Sequence, residues 1–277
     1  MDEVSTPPAG VRGRVVSRDG TPIAYERYGE GPPLVLVSGA LGTAAGERPL
    51  GGLLAGRFSV VAYDRRGRGG SGDTGPYAVR REVEDLAAVV GEAGPGAALH
   101  GMGTGGALAL AAVAAGLDTA AVSLYEPPYT RSARAVERWG RVTELLGQGR
   151  RAAALDLFLA DLAGTADPAG AADPGPGVTS LRPGLAELAH TLAYDLAVLG
   201  DGAVPEPLLA RVHARVLVVD GGASPAGTRQ VARAVTAALP RARHRTLTGQ
   251  THEVAPHVLA PVLEQFLADE REPVEAA

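Results

Sequence analysis

Short apolar runs alternate with helical patterns along most of this chain. Residues 12–17 and 22–28 alternate apolar and polar side chains on either side of Asp19-Gly20, which predicts a β-hairpin. From residue 33 the alternation gives way to runs that are apolar on both sides: 33–37, 58–63, 97–100, 120–125 and 215–219, with a last strand at 243–247. Such runs suit strands covered on both faces, as in a parallel sheet. Helical periodicity separates them at 49–54, 77–90, 107–115, 228–239 and 256–268. Strands alternating with helices predict a doubly wound α/β sheet. Residues 127–212 break the order with helical segments at 133–146, 151–162 and 185–199 and a Pro/Gly-rich connector at 167–184. They are read as a helical cap over the sheet's C-terminal edge, with the connector as a hinge or lid, and residues 1–126 and 213–277 as the core. No internal repeat is visible.

Composition narrows the classes. The 277 residues are 45% apolar and 21% charged, enough for one large core with an insertion. Net charge is −5, which gives no reason to expect a nucleic-acid partner, and all 26 basic residues are arginine. There is no cysteine, which excludes disulfides, thiolate catalysis and thiolate metal sites. The six histidines form no HExxH pair, so no metal is expected. The acidic, polar start lacks the basic and apolar regions of a signal peptide, and the longest apolar helix is too short to span a bilayer. The expectation is a cytoplasmic protein acting on a small molecule, with no cofactor and no membrane partner.

The chemistry concentrates at His100-Gly101-Met102-Gly103-Thr104-Gly105-Gly106, between an apolar strand and a small-residue helix. That is the strand–turn–helix setting of a nucleophile elbow, G-x-S-x-G. Gly101 and Gly105 are in place, but the position of the attacking serine holds Gly103. Thr104 is out of register as a substitute, because the residue two before it is Met102 and not glycine.

Together with Ser38-Gly39-Ala40 after the third strand, Asp64-Arg65-Arg66-Gly67 through Ser71 after the fourth, Glu126 at the end of the sixth and His252 after the last, this elbow resembles the α/β-hydrolase superfamily over nearly the whole chain. The resemblance implies a mostly parallel sheet of about eight strands flanked by helices, with an inserted helical cap. It places His252 as the catalytic histidine. Many members carry the acid after the seventh strand, where this chain has Ser224 in Gly221-Gly222-Ala223-Ser224-Pro225. The superfamily's other arrangement puts it after the sixth strand, which favours Glu126, with Asp220 second. The oxyanion hole maps to the backbone N–H groups of Thr104 and, approximately, Ala40. Ser38, Ala40, Met102, Tyr129, Trp139, His190 and Tyr194 are candidates for lining the substrate pocket, with Phe158 and Asp195 nearby. Core packing competes with that role for Met102 and the cap aromatics, and the Asp64-Arg65-Arg66-Gly67 turn is read as structural.

Without a nucleophile, acyl-enzyme chemistry is not expected. A base, its acid partner, an oxyanion hole and a lidded apolar pocket suit proton transfer without a covalent intermediate. The leading expectation is a cofactor-independent cyclase, lyase or isomerase acting on a small apolar, possibly polyketide-like metabolite. Hydrolysis by a water that His252 activates is the alternative. A catalytically inactive ligand-binding protein is a third reading, which retention of His252 and Glu126 disfavours. A designed serine-to-glycine exchange is a fourth, and the second departure at Met102 speaks against it.

Overall fold

The apolar runs at 33–37, 58–63, 97–100, 120–125 and 215–219 become the middle of one sheet because neither of their faces can meet water. The computed structural model describes residues 10–162 and 183–269. Eight strands lie in the order β1-β2-β4-β3-β5-β6-β7-β8. They span Val11–Val16, Pro22–Tyr28, Pro33–Val37, Ser59–Tyr63, Ala98–Met102, Ala121–Tyr125, Arg215–Gly221 and Ala242–Leu247. β2 runs antiparallel to β1 and β4, and every other pairing is parallel. Alternate residues of the central strands feed two cores. Val35, Val37, Leu99, Val122 and Val218 pack with α2 (Val79–Ala93), α3 (Thr104–Ala114) and α9 (Ala226–Ala238). Leu34, Leu36, Ala98, Tyr125 and Val219 pack with α1 (Arg48–Leu54) and α10 (Pro256–Ala268).

Between β6 and β7 come α4 (Ala133–Gly147), α5 (Arg151–Leu162), α6 (Pro183–Leu188), α7 (Leu192–Leu199) and α8 (Glu206–Leu209). The connector at 167–184 lies almost wholly outside the described residues. The helix expected over 185–199 is interrupted by a 3-10 turn at Ala189–Thr191. There the Thr191 hydroxyl donates to the Leu188 carbonyl at 2.8 Å, and His190 Nδ1 bonds the Glu187 carbonyl at 2.8 Å. Side chains that bond nearby carbonyls in this way compete with the regular ladder. No helix among the described residues is long and apolar enough to cross a membrane.

The turn after β4 carries three buried arginines, each held by carboxylates distant in sequence. Arg65 makes a forked pair with Glu82 of α2 (2.7 and 2.9 Å) and a further bond to Asp195 of α7 (2.7 Å). Arg66 does the same with Asp85 (2.6 and 2.7 Å) and also reaches Asp19. Arg68 bonds Asp195 at 2.7 Å. Because the Arg65 side chain is 0% exposed, Arg65→Met would leave two buried carboxylates short of a cation. A loss of about 3–5 kcal/mol in urea-unfolding stability is expected. Removing the exposed pair Arg141–Glu144 should barely move the midpoint.

Beside this turn, Glu26 of β2 accepts from Arg48 at 2.8 and 2.5 Å, from Arg12 at 3.1 Å and from the Tyr28 hydroxyl. The Arg48 hydrogen bonds lower the Glu26 carboxyl from 4.5 to about 2, against the opposing effect of burial, with Tyr28 assisting. A carboxyl held low in the folded state stabilises it fully above the unfolded pKa and loses that contribution as pH falls through the folded one. Unfolding midpoints should therefore drop between about pH 4.5 and 2, and less steeply in Glu26→Gln.

Candidate active site

The loops at the carboxyl ends of β3, β5, β6 and β8 converge where the strand order reverses between β3 and β5, the usual crevice of such sheets. The chain leaves β5 at Met102, and Gly103 takes φ +52° and ψ −121° as the residue before α3. Its N–H donates to the Tyr125 carbonyl at 2.9 Å. The flanking glycines are sterically required. A Cβ on Gly101 would stand 2.4 Å from Gly106 Cα, and one on Gly105 would stand 2.1 Å from the Val37 carbonyl oxygen. Gly103 itself is open. A Cβ there would meet only His252, at 3.6 Å from Cε1 and 3.8 Å from Nε2, which is ordinary contact. The turn thus keeps the shape and the space of an elbow while lacking the side chain.

His252 lies on the loop between β8 and α10. That loop is tied down by the Tyr125 hydroxyl donating to the Thr251 carbonyl at 2.5 Å and by Ala255 N–H donating to Gln250 Oε1 at 2.9 Å. Nδ1 of His252 is 3.0 Å from Glu126 Oε2. With Nδ1–H donating to the carboxylate, Nε2 is left as a proton acceptor on the side of Gly103. Glu126 is buried and sits at φ +46°, a region non-glycine residues occupy at a cost. It is held there by its own N–H to the Val219 carbonyl (3.0 Å), by Gly221 N–H to Oε1 (2.8 Å) and by the Ser224 hydroxyl to Oε1 (2.5 Å). Burial alone would raise the Glu126 carboxyl. The hydrogen bonds from His252, Ser224 and Gly221 outweigh it and hold the group below its ordinary value, as a carboxylate.

Asp220 is engaged by a different histidine. It is wholly buried and bonds His244 Nε2 at 2.9 Å. The Ser224 hydroxyl cannot replace a carboxylate as the partner of His252. The structure gives it a different task, as a donor to the carboxylate on the neighbouring strand end.

The second wall is the loop after β3. A Cβ on Gly39 would stand 2.9 Å from the Met102 carbonyl oxygen and 3.9 Å from Gly103 Cα, so this loop abuts the elbow. Leu41 is at φ +59°. Ala40 and Leu41 pack against an apolar cluster of Val142, Leu145, Ala154 and Leu192, joined by Leu157, Phe158 and Leu196. The N–H of Thr104, first in α3, has no partner within its helix, as for any helix start. Its side chain is committed elsewhere, donating to Asp195 Oδ1 at 2.7 Å.

The other candidates are dispersed. Ser38 is fully buried beneath the loop, its hydroxyl 3.1 Å from where a Cβ on Gly42 would stand. Met102 packs against the α1/α10 core. Tyr129 is part of the α2/α3/α9 core and Trp139 packs on it, near Gly202. Tyr194 stacks on Tyr77 at 3.8 Å and donates to Asp73, and His190 Nε2 lies 3.4 Å from Asp73. These cap aromatics are therefore engaged in core packing and in contacts to the core. Among the described residues no group of three His, Cys, Asp or Glu side chains could hold a metal ion.

Residues 34–265 match the family model for the alpha/beta hydrolase family. The chain belongs to the α/β-hydrolase family. Within it, an alpha/beta hydrolase from Sphaerobacter thermophilus is 45% identical, with a TM-score of 0.81 over 92% of this chain and 99% of that one. RutD of Azorhizobium caulinodans, a protein named for carbamate hydrolysis, is 35% identical over 124 residues. That match covers 44% of this chain and 43% of the relative, less than half of its length. The enol-lactonase of Burkholderia xenovorans shares the α/β-hydrolase fold at a TM-score of 0.69 and 19% identity, over 92% of this chain and all of that one.

Proposed function

We propose that this α/β-hydrolase-family protein is an enzyme that moves protons without forming a covalent intermediate. His252 acts as the base, Glu126 orients it, and the N–H groups of Thr104 and the Ala40 loop receive a developing oxyanion. One observation carries the reading: His252 Nε2 is aimed at an elbow that has kept its backbone and lost its side chain. A substrate seated over Gly103 gives a proton to Nε2. Its electron pair is drawn onto a carbonyl oxygen held by the two N–H groups, and imidazolium returns the proton to another atom of the same molecule. Cyclisation, elimination and isomerisation all fit this sequence. Ala40 and Leu41, on the loop beside the elbow, belong to an apolar cluster, which supports a small apolar substrate.

The second reading, hydrolysis by a water activated by His252, is supported by the names of the relatives. The two separate in isotopic solvent. A panel of small apolar ketones, esters and lactones is incubated with the protein in D₂O and in H₂¹⁸O. His252-dependent deuterium entry at carbon without ¹⁸O in the product supports the first reading. His252-dependent entry of ¹⁸O into the carboxylate released from an ester or lactone supports the second and rejects the first.

A further inference from the structure

Asp195 comes from α7, among the helices inserted between β6 and β7, yet it is buried against the core with both carboxylate oxygens engaged. Oδ1 accepts from the Thr104 hydroxyl and from Arg65 Nη1, each at 2.7 Å, and Oδ2 accepts from Arg68 Nη2 at 2.7 Å. Thr104 is the residue whose N–H forms one half of the oxyanion hole in the reading above. The other half is the loop around Ala40, and the same two arginines hold it. Arg68 Nη1 donates to the carbonyls of Gly39 (2.6 Å) and Gly42 (3.3 Å), and Arg65 Nη1 approaches the Ser38 carbonyl at 3.4 Å. The Gly39 carbonyl also accepts from the Gly42 N–H at 3.1 Å, and because a trans peptide sets its C=O and N–H on opposite sides, holding this carbonyl turns the Ala40 N–H away from Arg68. Leu41, at φ +59°, shows a loop kept in a conformation it would not adopt by itself.

We propose that Asp195 is a positioning residue for the oxyanion hole, one carboxylate that fixes the elbow through Thr104 and the β3 loop through Arg65 and Arg68. It touches neither substrate nor reacting atoms. It sets where two backbone donors point, and a donor aimed about an ångström wide loses most of its value at the transition state. The proposal rests on the oxyanion-hole reading of the site, so its test must report on that reading separately.

The absence of cysteine provides the means, since Gly103→Cys creates the chain's one thiol. Two reactions of that thiol are timed by intact mass. Acylation by p-nitrophenyl acetate forms a thioester, expels p-nitrophenolate and passes through an oxyanion. Methyl methanethiosulfonate transfers a methylthio group, expels methanesulfinate and forms no oxyanion at carbon. In the Gly103→Cys background, Asp195→Asn is expected to slow acylation about 100-fold and leave methylthiolation unchanged. Thr104→Val should slow acylation about tenfold and Thr104→Ser should restore it, which decides the matter even where Asp195→Asn fails to fold. Equal slowing of both reactions by Asp195→Asn, or unchanged acylation in both Asp195→Asn and Thr104→Val, overturns the proposal. A Gly103→Cys parent that methylthiolates but never acylates overturns the oxyanion-hole reading itself.

Discussion

A Gly103→Ser variant is expected to be labelled covalently by a fluorophosphonate while the wild-type chain stays untouched, as read by intact mass. The backbone at this position already has the turn that would present the side chain. A Cβ would lie 3.8 Å from His252 Nε2, so the hydroxyl oxygen one bond further can reach hydrogen-bond distance of that nitrogen. Nothing else crowds the position. The substitution has a cost, since a non-glycine residue at φ +52° is strained by about 1–3 kcal/mol, and the variant should unfold at lower urea. Labelling should vanish when His252→Ala is added. Labelling of the wild type would show a nucleophile elsewhere and overturn the non-covalent mechanism. Thr104 is a poor source of one, with its hydroxyl bound to a fully buried carboxylate. Labelling of neither chain would favour a binding protein over an enzyme.

In that Gly103→Ser background, Glu126→Gln should slow labelling about 10⁴-fold, and Asp220→Asn should leave it within a few-fold. The amide would offer His252 Nδ1 a partner without negative charge, and in one orientation a donor that forces the proton onto Nε2, where the base is needed. The imidazolium formed during reaction would also lose its counter-charge. Asp220 cannot take over, because its carboxylate is turned to His244. Equal losses from the two substitutions would mean that the acid role is shared along the strand ends.

The central sheet was legible because β3, β5, β6 and β7 are apolar on both faces, and the structure does cover both. The elbow was legible because its two packing glycines cannot be replaced. The sequence pattern starts α3 at 107, because Thr104-Gly105-Gly106 has little helical propensity, whereas the helix begins at Thr104. The helix takes its first turn from its seat against Val37 and Leu124 instead. The buried ion cluster was out of reach for another reason. Arg65 finds Glu82 within 17 positions but Asp195 only after 130, and no spacing rule joins residues so far apart. For Tyr129 and Trp139 the sequence leaves core packing and pocket lining open, and the structure shows Tyr129 buried in the core with the half-buried Trp139 packed on it.

Glu126 is tied to the sheet by its own N–H to Val219, and the inserted helices begin beyond it. Asp195 travels with those helices. A chimera that exchanges residues 127–212 with a relative would keep Glu126, His252, Thr104 and the β3 loop from one parent and take the residue at the Asp195 position from the other. With junctions after Glu126 and before β7, swapped libraries should vary the carboxylate that braces Arg65, Arg68 and Thr104 while holding the Glu126–His252 pair constant.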